Sequence, residues 1–161
     1  MQPLAETWEC STHHDGTSMV ASGEFKGLSL AEVLRRKPEL LGKHYAELGE
    51  LPILIKLIDA KKDLSVQVHP DDEYAFKYEN GQRGKTEMWY VLDCEPGAFL
   101  YYGFDHEISK AEFEERIKNN TLTEVLNAVP VHKGDCFFIP SGTLHAICKA
   151  SLLPRCSRTP T

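Results

Sequence analysis

The sequence predicts a mainly β chain, folded as a small antiparallel barrel or jelly roll with one short helical insertion. Short alternating apolar segments recur along it, glycine and proline separate them, and a longer helical pattern interrupts the series between residues 109 and 128. With 161 residues, 42% of them hydrophobic, the chain is long enough to bury a core of its own, and disorder is not the default.

Taken in order, residues 1–27 read as one strand and loops, with Glu6, Trp8 and the adjacent His13 and His14 among them. Ser29-Leu30-Ala31-Glu32 is a capping-box pattern, and it opens a helix over about 29–36 that Pro38 stops. Residues 1–50 are therefore expected to pack as a strand, loops and a short helix on a barrel formed by 51–149. The run from Leu51 to Ala60 is almost continuously apolar and rich in isoleucine, as in a strand buried on both faces. Lys56 is its exception: an ammonium in such a strand has to reach solvent or an anion.

From Leu64 to His69 the chain alternates, which predicts a strand with Leu64, Val66 and Val68 on a packed face and Ser65, Gln67 and His69 on a polar one. Pro70-Asp71-Asp72 turns it, and residues 72–84 read as a helical turn and loop. Strands follow at 87–92 and 98–102. Ser109-Lys110-Ala111-Glu112 repeats the capping box, and the apolar stripe after it assigns 109–128 to two short helices. Two more strands, at 136–139 and 144–148, flank the Pro140-Ser141-Gly142 turn. Residues 150–161, with two prolines, no acidic residue and no period, read as a disordered tail.

Composition narrows the function. A formal net charge of −6 without a basic cluster argues against nucleic acid, so the expected partner is a small molecule. Five widely spaced cysteines without a C-x-x-C pair suggest neither a disulfide framework nor a cysteine zinc knuckle. No apolar run approaches the roughly 18 residues of a membrane span, and no signal peptide opens the chain, which predicts a cytoplasmic protein without membrane contact.

In a barrel, Gln67 and His69 can point inward and meet Glu87 and His145 from neighbouring strands on one ion. Two imidazoles, a carboxylate and an amide oxygen suit zinc, with iron, manganese or cobalt as competitors. His13, His14, His44, His106 and His132 have no sequence partner at ligand spacing and are assigned no role. Trp89 and Tyr90 are read as core and rim.

Three segments in order, Ser65-Val66-Gln67-Val68-His69-Pro70-Asp71, Gly84-Lys85-Thr86-Glu87-Met88-Trp89-Tyr90 and Pro140-Ser141-Gly142-Thr143-Leu144-His145-Ala146, resemble the type I mannose-6-phosphate isomerases of the cupin superfamily, in their shorter bacterial form. The resemblance implies a cupin-type jelly roll that interconverts mannose 6-phosphate and fructose 6-phosphate. It implies one zinc ion on Gln67, His69, Glu87 and His145, a catalytic Lys85, and a sugar-phosphate substrate held by Lys56 and Ser65. Ala5-Glu6-Thr7-Trp8 resembles the family's active-site glutamate motif, which adds Glu6 to the substrate-binding set. The family pattern is expected to run past both ends of this chain, which leaves the pattern after Lys149 and lacks the arginine segment. The barrel is then incomplete, and self-association through its exposed edges is expected. The alternative functions are a truncated cupin that binds metal and sugar phosphate without turnover, and a cupin using the same ligands with iron for dioxygen chemistry.

Overall fold

The computed structural model describes residues 6–43, 45–47, 51–148 and 151–158. His44, Ala5 and both ends of the expected tail lie outside them. The described chain is mainly antiparallel β, in two open sheets rather than a closed barrel. The larger sheet runs β1 (Glu6–Cys10), β2 (Ile53–Ala60), β9 (Ser151–Arg158), β3 (Glu87–Tyr90) and β7 (Cys136–Ile139), with the two-residue β4 (Asp93–Cys94) also on β9. The smaller orders β6 (Leu126–Pro130), β5 (Phe99–Phe104) and β8 (His145–Ile147).

Cross-strand register explains which side chains turn inward. Leu54, Ser157, Glu87 and Ile139 are aligned across β2, β9, β3 and β7, and all four are buried. In the next row Ile55, Cys156, Met88 and Phe138 face the other way, and Phe138 is 63% exposed. The inward rows meet β5 and β8 in a core of Ile58, Trp89, Leu100, Ile139 and Ile147. Burying such side chains contributes about 1.5–3 kcal/mol each, so the sheets are held to one another by the face that also carries Glu87.

Both serine N-caps form, while the glutamates of the two patterns pair with Arg36 and Arg116. Ser29 Oγ accepts from the Glu32 amide at 3.1 Å at the start of α1 (Leu30–Arg36), and Ser109 Oγ accepts from the Glu112 amide at 3.1 Å at the start of α3 (Lys110–Lys118). Asp71 caps α2 (Asp72–Tyr78) in the same way. The insertion is shorter than its expected span: a 3-10 turn at Leu122–Val125 follows α3, and residues 126–128 already belong to β6.

Three expectations are corrected. Residues 151–158 are not a disordered tail but the strand β9, which pairs β2 on one side and β3 and β4 on the other. Two neighbouring strands supply its backbone partners, which outweighs the lack of apolar alternation and the amide that Pro154 cannot offer. Second, 64–69 is an extended segment rather than a full strand. It bonds to the three-residue β8 through Leu64 and Gln67, with a single bridge at Gln67–His145. With so short a partner its supposed packed face stays open: Leu64 is 41% and Val68 52% exposed. Third, β2 is flanked on both edges but not buried on both faces, since Ile53 and Asp59 are exposed.

Candidate metal and substrate site

Glu87, the first residue of β3, points inward with its carboxylate fully buried. The 67–145 bridge, made by reciprocal 2.9 Å amide-to-carbonyl bonds, lays the segment carrying His69 against the start of β8, where His145 is 2% exposed. The Gly142 amide donates to the His69 carbonyl at 2.8 Å, so the turn after β7 fixes His69 as well. His69, Glu87 and His145 thus offer three ligand atoms all within 4.8 Å of one another.

The donor chemistry fits a metal ion. His145 Nδ1 lies 2.8 Å from the Thr143 carbonyl, which can only accept. Nδ1 therefore carries the proton and Nε2 the lone pair. Nε2 of His145 is 3.8 Å from Glu87 Oε2, and Nε2 of His69 is 3.0 Å from Glu87 Oε1. His69 Nε2 is buried and makes no hydrogen bond among the described residues. Two imidazole nitrogens turned on one buried carboxylate form the donor set of a mixed N/O centre, in which ligands about 2.0–2.2 Å from an ion sit roughly 3.3 Å apart.

Lys85 completes the charge arrangement, with Nζ 2.9 Å from Glu87 Oε1. Its backbone is placed by a clamp: the Lys85 amide donates to the Pro70 carbonyl at 3.0 Å, and the Gly84 amide to Asp72 Oδ1 at 2.8 Å. A Cβ on Gly84 would sit 2.4 Å from the Asp71 carbonyl carbon and 2.5 Å from the Asp72 nitrogen, both backbone atoms that cannot swing aside. Gly84→Ala is therefore expected to lower stability by about 1–3 kcal/mol as the clamp opens. Urea unfolding checks this, with the loss seen as a lower midpoint at unchanged slope.

Two clefts open beside the cluster. One, of about 430 Å³, is lined by His69, Asp71, Tyr74 and Ser141, among others, and the second, about 340 Å³, by Lys85, Thr86, Asp71 and Ser141. Volumes of this order accept a small metabolite. A second polar group lies on the inner face of β1 and β2, where Trp8 is aligned with Lys56. Lys56 Nζ is 3.3 Å from Glu6 Oε1 and 4.2 Å from the Trp8 ring centroid, while the Trp8 indole donates to the same Glu6 oxygen at 2.8 Å. The anion that a lysine in this strand needs is thus Glu6.

Of the residues singled out from sequence, the structure joins His69, Glu87, His145 and Lys85 in one cluster, and Lys56 with Glu6 in another. Ser65 is exposed, and its Oγ accepts from the side-chain Nε2 of Gln67, which is also exposed. His13 and His14, read as lacking a partner, gather with Asp15. Their rings are stacked at 4.3 Å with 27° between planes, and both histidines and Asp15 are at least partly exposed. Sequence reading missed the Thr143 carbonyl and the Trp89 indole, which donates to Glu87 Oε2 at 2.9 Å. Only the i, i+2 spacing of Glu87 and Trp89 on one strand face hinted at the latter. Burial pushes the Cys148 thiol up to about 11, with the Asp63 carboxylate adding to it, and burial also raises Cys10 and Cys156.

Comparison with known proteins gives a consistent set of relatives. The family described as phosphomannose isomerase type I, catalytic domain, matches residues 1–97. The mannose-6-phosphate isomerase ManA of Bacillus subtilis is 43% identical over 151 residues, 94% of this chain and 47% of its own length. The mannose-6-phosphate isomerase of Streptococcus mutans is 41% identical over 152 residues, with 94% and 47% of the two chains covered. The crystal structure of the mannose 6-phosphate isomerase from Bacillus subtilis superimposes with a TM-score of 0.89 at 39% identity, covering 98% of this chain and 49% of that one. The chain thus spans about half the length of the curated relatives it matches. Among the described residues, no helix is long and apolar enough to cross a membrane.

Proposed function

The chain belongs to the type I phosphomannose isomerase family, and on that premise we propose that it interconverts mannose 6-phosphate and fructose 6-phosphate with one zinc ion held by Gln67, His69, Glu87 and His145. The observation that carries this reading is the buried Glu87 carboxylate, with an imidazole Nε2 near each of its oxygens and the Lys85 ammonium at 2.9 Å. Gln67 would offer its side-chain oxygen, since its nitrogen donates to Ser65.

The reaction moves one proton from C2 of the aldose to C1 of the ketose through an enediol, with a compensating proton shift between the two oxygens. When bound, zinc supplies Lewis acidity that favours negative charge on those oxygens. Lys85 Nζ is the group proposed to carry the proton or to steady the enediolate, because it is the cation paired with the cluster's carboxylate and its side chain lines a cleft. Lys56 and Ser65 are proposed to hold the phosphate, and Glu6 to orient both Lys56 and a sugar hydroxyl.

Mannose 6-phosphate conversion by the purified, zinc-supplied chain, followed by NMR, tests the proposal. Appearance of fructose 6-phosphate is expected; a folded, zinc-loaded chain that converts none overturns it. A second reading, metal and sugar-phosphate binding without turnover, rests on the same His69, Glu87 and His145 cluster, which can hold an ion whether or not a proton is moved. Its mark would be a higher unfolding midpoint with fructose 6-phosphate in the absence of conversion.

A further inference from the structure

We propose that Trp89 is a positioning residue for the metal-binding carboxylate, acting through its indole N–H. The inference rests on the reading of His69, Glu87 and His145 as metal ligands. Trp89 follows Glu87 by two residues on β3, so both side chains leave the same face of the strand. Its indole N–H donates to Glu87 Oε2 at 2.9 Å, while Oε1 is the oxygen facing His69 and Lys85. The two carboxylate oxygens are thereby told apart, and rotation of the carboxylate about its last bond is opposed. The same ring meets His145 edge-on, with centroids 5.3 Å apart and planes at 78°. One side chain therefore touches two of the three clustered residues.

The tryptophan is itself immobilised. It is 1% exposed and packs with Ile58, Leu100, Ile139 and Ile147 from both sheets. Packing alone asks only for a large aromatic at this position, and phenylalanine supplies that. The indole N–H is the additional element, and its acceptor is the carboxylate proposed as ligand. Groups that orient a ligand in this way typically account for 10–100-fold in metal affinity.

Trp89→Phe keeps an aromatic ring and removes the donor. Zinc affinity, measured by chelator competition at a temperature where the metal-free variant is folded, is expected to fall 10–100-fold. Leu100→Val, a truncation elsewhere in the same core, is expected to lower the unfolding midpoint and leave zinc affinity unchanged. Equal affinity in Trp89→Phe and the unaltered chain would overturn the positioning role while leaving the ligand assignment intact. Zinc content that is nil in the unaltered chain, or indifferent to His145→Ala, would overturn the ligand assignment and the inference with it. Should Trp89→Phe not fold, the indole resonances of Glu87→Gln decide the matter. The Trp89 N–H signal is expected to move and that of Trp8, which donates to Glu6, to stay; an unmoved Trp89 signal contradicts the proposal.

Discussion

Glu87→Gln is expected to lose zinc by more than the 10–100-fold typical of an outer partner, and to lose isomerase turnover with it. The carboxylate is fully buried, and both neighbouring imidazoles and the Lys85 ammonium address it. An amide is neutral, so the attraction for a divalent ion that a buried anion provides in a low-dielectric site disappears. The amide also carries an NH2 where the tryptophan N–H and the ammonium require acceptors, which leaves a donor facing a donor. Metal titration with a competing chelator measures the first effect and conversion of mannose 6-phosphate the second. Unchanged zinc affinity would mean that this carboxylate is a structural ion-pair partner only.

Lys85→Met is expected to behave in the opposite sense toward metal. The ammonium lies 2.9 Å from Glu87 Oε1, so it competes with a divalent cation for that oxygen. Removing it preserves or tightens zinc binding. Turnover should nevertheless fall by about 10²–10⁴, the usual contribution of a positioned proton-transfer group. The two measurements separate a catalytic lysine from one that merely balances the buried charge. A variant that retains full turnover would assign Lys85 to charge balance and send the search for the proton carrier to other groups lining the clefts.

What the sequence made legible and what it concealed have distinct physical origins. His69, Glu87 and His145 were recognisable because each sits in a compact local pattern, and the fold needs only the Gln67–His145 bridge and the inward face of β3 to bring them together. Lys56 announced that solvent or an anion had to be reached, yet not that the partner would be Glu6, because the two meet only through the pairing of β1 with β2. β9 was illegible for a related reason: its order comes from strands on both sides, not from its own alternation. The 64–69 segment failed in the other direction. It alternates like a strand, but its short partner leaves it a single bridge, and its apolar side chains remain open. The mainly antiparallel architecture and the capped helices, which depend on local periodicity and turn chemistry, were read correctly.

The central claim, that one metal ion is held where the 67–69 segment, β3 and β8 converge, is tested most directly by zinc stoichiometry of the purified chain beside its His145→Ala and Gln67→Ala variants. One zinc per chain is expected in the unaltered protein, abolished by His145→Ala and weakened by Gln67→Ala. Zinc content that neither substitution changes would contradict it.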